Sequence, residues 1–229
     1  MNNIENLRKL MTFDASTEFT DIESRFELIS QMLFEKFAVQ KGEALYQFKE
    51  IEFYFYNKHH QDIITHPRVS KSICWYVNDF GGIDLNFVSS IESASRSNCK
   101  GKSTNKYVLD DYAYFGGILI RQLISIDEGN VLSGPWACAE LFRCYDAMGK
   151  DKILPILVEH DNGMVGYIRK PRIHLLSSKQ TVKSKVDYIL GEYNEYPDNI
   201  KLYKKFALFV DKHYRYVLCD MPIHDEVTK

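Results

Sequence analysis

The sequence predicts a single α+β domain built on an antiparallel or mixed sheet, and three observations predict it. Short apolar runs bounded by turn residues recur along the chain, two pairs of them arranged as hairpins. Helical periodicity is confined to separated segments and does not alternate with the strands. No repeat and no linker divides the 229 residues, a length that one core can serve.

The elements follow in order. Residues 1–19 are polar and weakly patterned, which predicts a loosely ordered N-terminal arm before one domain over 20–229. Ile22, Phe26, Ile29, Met32 and Leu33 recur at helical spacing, predicting a helix from Thr20 to about Phe37 with Asp21 and Glu23 at its acidic start. A strand at 37–39 and a Lys41-Gly42 turn lead into a second strand at 46–56. ICWYV (73–77), an NDFGG turn and IDLNFV (83–88) read as a β-hairpin. Residues 89–106 are rich in Ser, Lys, Asn and Gly without apolar period, a long surface loop within an insertion at about 89–113. GGILIRQLI (116–124) has the length and β-branched content of a buried strand. Ser133-Gly134-Pro135 introduces a helix at 136–148, closed by Gly149. ILPILVEH and MVGYI flank Asp161-Asn162-Gly163, a hairpin signal. IRKPRIHLL (168–176) is basic and then strand-like; a charged helix near 181–190 and aromatic strands from 201 to 219 complete the chain.

Composition excludes several classes. Hydrophobic residues at 45% and aromatics at 14% do not suit a disordered or fibrous chain. A net charge of −2 gives no overall basic surface, so nucleic-acid binding would need a local positive patch. No apolar stretch approaches membrane-spanning length and MNNIENLRKLMTFD lacks a signal-peptide layout, so a cytoplasmic protein with no membrane partner is expected. Cys74, Cys99, Cys138, Cys144 and Cys219 are odd in number and form no CxxC pair, so reduced thiols are expected and neither a zinc site nor a disulfide frame.

The chemistry centres on Arg121. It lies among Ile118, Leu119, Ile120, Leu123 and Ile124, and a buried guanidinium must be paired and hydrogen-bonded because it cannot shed its proton. KEIEFYFY (49–56) can supply the counter-charge: alternation puts Ile51, Phe53 and Phe55 on one face and Glu50, Glu52, Tyr54 and Tyr56 on the other. Glu52 is then a candidate general base, Arg121 its partner, and Tyr54 with Tyr76 a stacking pair for a planar heterocycle. The same pattern also fits a solvated sheet face with a structural ion pair. His66, in DIITHPR, is a loop histidine beside a proline, and His59-His60 lacks a third ligand at metal spacing, so no metal is expected. Basic residues in IRKPRIHLL and across 179–185 fit either phosphate contacts or solvated surface. No phosphate-binding glycine loop, triad motif or dinucleotide fingerprint is present.

In their order these motifs resemble the alkyladenine (3-methyladenine, or methylpurine) DNA glycosylases. EIEFY (50–54) stands in the place of the family's ETEAY-type strand, Asp62 and His66 match its acidic-to-histidine loop, and Tyr76 and Asn86 match its tyrosine-to-asparagine hairpin. ILIRQL resembles the family's arginine-centred strand, LSGPWACAELF its SGP-plus-helix element, and PRIHL its late PRI-type strand, collinear over roughly residues 22 to 215. The resemblance implies a single domain with a curved, mostly antiparallel sheet and peripheral helices. It implies hydrolysis of the N-glycosidic bond of alkylated or deaminated purines in DNA, in base-excision repair, without cofactor, metal or covalent lysine. It makes Glu52 the water-activating base and Arg121 its partner. Tyr54, His66 and Tyr76 would line the flipped-base pocket, and Asn86 would help exclude guanine. The chain departs from the family on the DNA-facing side. Asp79, Phe80 and Gly81 stand where an intercalating tyrosine precedes glycine, leaving Phe80 as the candidate wedge. The loop from His66 to Tyr76 is short, and the insertion carries Arg96, Lys100, Lys102 and Lys106, expected to make phosphate contacts. The alternatives are a non-catalytic purine or nucleic-acid binding protein of the same fold, and a hydrolase of small nucleoside-like molecules.

Overall fold

Two out-of-register residues govern how the central strands serve both a core and a polar face. In the computed structural model, β2 (Ala44–Tyr56) pairs antiparallel with β6 (Phe115–Ser125), with Phe48 opposite Leu123, Glu50 opposite Gln122 and Ile51 opposite Ile120. Lys49 on one strand and Arg121 on the other are the extra residues at these register shifts. Each shift moves the inward phase by one residue, so Phe48 and Ile51 are both fully buried although three apart, as are Leu123 and Ile120. Gly116 is required here: a Cβ would run into the β2 backbone at Tyr54 and Phe55.

The described residues are 2–66, 73–78, 81–90, 107–108, 111–142, 153–173, 193–195 and 208–219. They form an α+β structure around a curled antiparallel half-barrel sheet with few helices. On one side of β6 lie β4 (Ile83–Asn86) and then β3 (Trp75–Val77), the expected hairpin; β7 (Val131–Ser133) pairs with the far end of β6. On the other side of β2 the sheet forks. Its first half pairs with β1 (Phe37–Lys41), which carries β8 (Ile156–Glu159); its second half pairs with β11 (Arg215–Leu218), which carries β9 (Tyr167–Lys170). A separate parallel pair joins β5 (Tyr107–Val108) to β10 (Tyr193–Glu195).

Helix α2 (Phe19–Lys36) covers the core face of the sheet, burying Ile22, Phe26, Ile29, Leu33 and Phe34. Phe26 stacks on Phe53 with ring centroids 4.4 Å apart. Phe13, Phe55 and Phe87 complete an aromatic cluster, and each fully buried phenylalanine contributes about 1.5–3 kcal/mol. No helix among the described residues is long and apolar enough to cross a membrane.

Two expectations are corrected. The first residues are not a loose arm: α1 (Asn3–Leu10) is capped by the Asn2 side chain, and Leu7, Met11 and Phe13 are buried against the core. The helical spacing of Leu7 and Met11 is short, and its polar surroundings mask it. Nor do the strands flanking Asp161-Asn162-Gly163 pair with each other, since β8 joins β1 and β9 joins β11. The turn residues are used elsewhere. The Asn162 amide donates to the carbonyls of Phe34 and Phe37 and its backbone N–H to Glu35, closing the free end of α2, while Asp161 pairs with Lys36. Helix α3 (Pro135–Glu140) starts at its proline as expected; residues 143–150, the charged segment 181–190, the insertion residues 91–106 and Phe80 lie outside the described residues. Either side of the insertion, Ser90 and Tyr114 are tied by reciprocal hydrogen bonds of 2.8–2.9 Å.

Candidate functional site

Strand register assembles the site. Tyr76 lies opposite Asp84, Asp84 opposite Leu119, Leu119 opposite Glu52, and Glu52 opposite Arg215. One row along, Asn86 lies opposite Gly117 and Gly117 opposite Tyr54. Opposed residues share a face, so Glu52, Tyr54, Tyr76 and Asn86 stand together on the side of the sheet away from the aromatic core. The extra residue in β6 turns Arg121 onto the same side.

The Glu52 carboxylate is fully buried. Its Oε2 accepts from the Tyr54 hydroxyl at 2.8 Å and lies 3.4 Å from Arg121 Nη1; its Oε1 accepts from the Ile173 backbone N–H at 3.0 Å. A carboxylate can accept roughly four hydrogen bonds, so Oε1 keeps an open lone pair for a water. Arg121 is shared: its Nε is 3.2 Å from Glu50 Oε1, which is also 3.2 Å from Arg215 Nη1. Two carboxylates and two guanidiniums thus neutralise one another, which answers the cost of burying Arg121.

Tyr54 is 8% exposed and is more a wall than an open stacking platform. Its hydroxyl is committed to Glu52, and the Arg172 guanidinium carbon sits 4.6 Å from its ring centroid. Tyr76 is half-buried on β3. His66, also half-buried, ends the loop that begins at fully buried Asp62.

Asn86 is fully buried, yet among the described residues neither its Oδ1 nor its Nδ2 has a hydrogen-bond partner. An unsatisfied buried amide costs about 1–3 kcal/mol, and this one faces the side of the sheet that holds Glu52 and Tyr76. Asn86→Leu, similar in size and without polar atoms, is expected to raise the stability of the protein by about 1–3 kcal/mol in chemical denaturation. Loss of stability would mean that the amide has a structural role instead.

Sequence reasoning missed Arg172 and Asp62 as its ion-pair partner; it placed Glu50 on this face without giving it a role in the site. Arg172 donates to Asp62 from both Nη1 (2.6 Å) and Nη2 (3.2 Å), with both side chains wholly buried. It follows the end of β9 and so has no strand alternation to reveal its direction; the only signal was its place in the PRI match.

His60 is buried behind the site, its Nδ1–H donating to the Phe55 carbonyl at 2.9 Å and its Nε2 2.9 Å from the Tyr214 hydroxyl. Burial pushes its pKa down to about 4, with Asp62 pulling weakly the other way. The unfolded chain therefore binds a proton near pH 6.5 that the folded chain refuses until about pH 4. His60 should contribute stability that is intact above pH 6.5 and declines as pH falls toward 4, by roughly 3 kcal/mol in all. Denaturation of His60→Gln across that window should show a flatter pH dependence than the parent; equal slopes would exclude His60 as the cause. No protein-family model matches the chain, and no curated protein matches it in sequence.

Proposed function

We propose that this protein hydrolyses the N-glycosidic bond of an alkylated or deaminated purine in DNA, and that its half-barrel is the fold of the alkyladenine DNA glycosylases. The observation that carries this reading is the contact of the Glu52 carboxylate with both Arg121 and Tyr54. They occupy the face that also holds Tyr76 and the unpartnered Asn86. Glu52 takes a proton from a water at its open Oε1 lone pair. The resulting hydroxide attacks the anomeric carbon, the glycosidic bond breaks, and its electron pair leaves with the purine. Arg121 and the Ile173 N–H fix the carboxylate from two sides, so it need not reorganise during the reaction. Tyr76 and Asn86 contact the extruded base, whose removal from the duplex costs least when it is damaged.

The complete burial of Glu52 favours one second reading, a purine-binding protein of the same fold without catalysis. The experiment that separates them incubates the protein with duplex DNA carrying hypoxanthine or 3-methyladenine and measures free base and abasic sites. Base release, with duplex affinity falling by about 0.9 log units per log unit of salt for each phosphate contact, supports the proposal. Binding without release supports the second reading. Release from free nucleosides with little salt dependence points to a small-molecule hydrolase.

A further inference from the structure

We propose that Arg172 is a positioning residue for the Glu52 site: clamped by Asp62, its guanidinium backs the Tyr54 ring and holds the Tyr54 hydroxyl on the Glu52 carboxylate. The activity arm of this inference rests on the function proposed above; the spectroscopic arm does not.

The guanidinium is fixed at four points. Nη1 donates to Asp62 Oδ2 at 2.6 Å and to the Phe53 carbonyl at 3.1 Å, and Nη2 donates to Asp62 Oδ1 at 3.2 Å and to the Phe209 carbonyl at 3.0 Å. Asp62 is itself tethered, its Oδ1 accepting from the Ile64 N–H at 3.3 Å and its own N–H donating to the His60 carbonyl at 2.9 Å. A planar cation held this way presents a rigid face, and the Tyr54 ring lies on it at 4.6 Å and the Tyr214 ring at 5.4 Å. With one face of Tyr54 backed by this plane, the ring is held where its hydroxyl donates to Glu52 Oε2, 2.8 Å away.

The next residue completes the arrangement. Ile173 donates its N–H to the other oxygen of Glu52 at 3.0 Å. A two-residue segment therefore restrains both carboxylate oxygens, one through a backbone N–H and one through the ring that Arg172 supports. An ion pair serving only to neutralise buried charge would need neither the stacked ring nor this adjacency. Lysine could keep the charge but has neither the fork that grips Asp62 nor the plane that backs Tyr54.

The test compares Arg172→Lys, Tyr54→Phe and the double variant, each checked for folding by near-ultraviolet circular dichroism. A buried hydroxyl on a carboxylate exchanges slowly enough to be sought as a downfield proton resonance, assigned to Tyr54 by its loss in Tyr54→Phe. Its loss or broadening in Arg172→Lys is expected; an unchanged resonance overturns the proposal. In single-turnover base release, Arg172→Lys should lower the rate constant about 10–100-fold at unchanged duplex affinity and add nothing to Tyr54→Phe. Losses that add in the double variant overturn it. If the parent protein releases no base, the proposed function falls while the hydroxyl resonance still decides the role of Arg172. If Arg172→Lys does not fold, the same resonance is read in Asp62→Asn, which keeps the shape of the clamp and weakens its charge.

Discussion

Under the proposed function, Glu52→Gln is expected to reduce purine release by about 10²–10⁴-fold, the usual contribution of a general base, while the protein stays folded. The amide preserves the side chain's volume, and its single oxygen can keep the Ile173 N–H bond made at Oε1 (3.0 Å) while its NH2 takes the Oε2 position, where the Tyr54 hydroxyl turns from donor to acceptor. It cannot take a proton from water, and it offers Arg121 a neutral partner in place of a charge. Glu50 remains 3.2 Å from the Arg121 Nε, so the guanidinium is not left alone. The loss should therefore fall on the rate of the chemical step, with duplex affinity little changed. Comparable single-turnover rates in parent and variant would remove Glu52 from the reaction and favour the binding-protein reading.

The second large effect is on stability. Asp62→Ala leaves the Arg172 guanidinium without its counter-charge in a site with no solvent exposure. Removing one partner of a buried pair costs about 3–5 kcal/mol. At about 2–4 °C per kcal/mol for a domain of this size, thermal unfolding should move down by roughly 6–20 °C. Replacing both residues by apolar ones, Asp62→Ala with Arg172→Met, should recover most of that stability, because the cost lies in the stranded charge. A single variant destabilised by less than about 1 kcal/mol would mean that water reaches Arg172 and that the clamp is not closed.

What the sequence made legible follows from periodicity. Ile51, Phe53 and Phe55 alternate with Glu50, Glu52 and Tyr54, and that two-residue period placed the carboxylates and the tyrosine together on one face, as observed. The arginine in an apolar run identified its own need for a partner, and Glu52 and Glu50 provide it. Arg172 was hidden because no period runs through a residue beyond a strand end. Its partner Asp62 is 110 positions away, in a loop whose fold is set by local hydrogen bonds. The hairpin read at Asp161-Asn162-Gly163 fails for a related reason. A turn signal reports local backbone geometry, whereas the capping of α2 by Asn162 is a tertiary use of the same residues. The buried start of the chain was missed because Phe13 docks against Phe55 and Phe87, contacts that only the assembled sheet supplies.

The fork in the sheet decides which strands the Glu52 site depends on. Beyond β2, the strands β1 and β8 form one branch and β11 and β9 the other; they pair with different halves of β2, and residues 160–166 carry the chain from β8 to β9. Arg215 belongs to the second branch, and Arg172 and Ile173 follow directly from its outer strand. No donor to Glu52 among the described residues lies on the β1–β8 branch: Tyr54 is on β2, Arg121 on β6 and Ile173 just beyond β9. Opening the β11–β9 branch would free the carboxylate from Ile173 and leave it to Tyr54 and Arg121, so the three-donor arrangement lasts only as long as that branch stays closed.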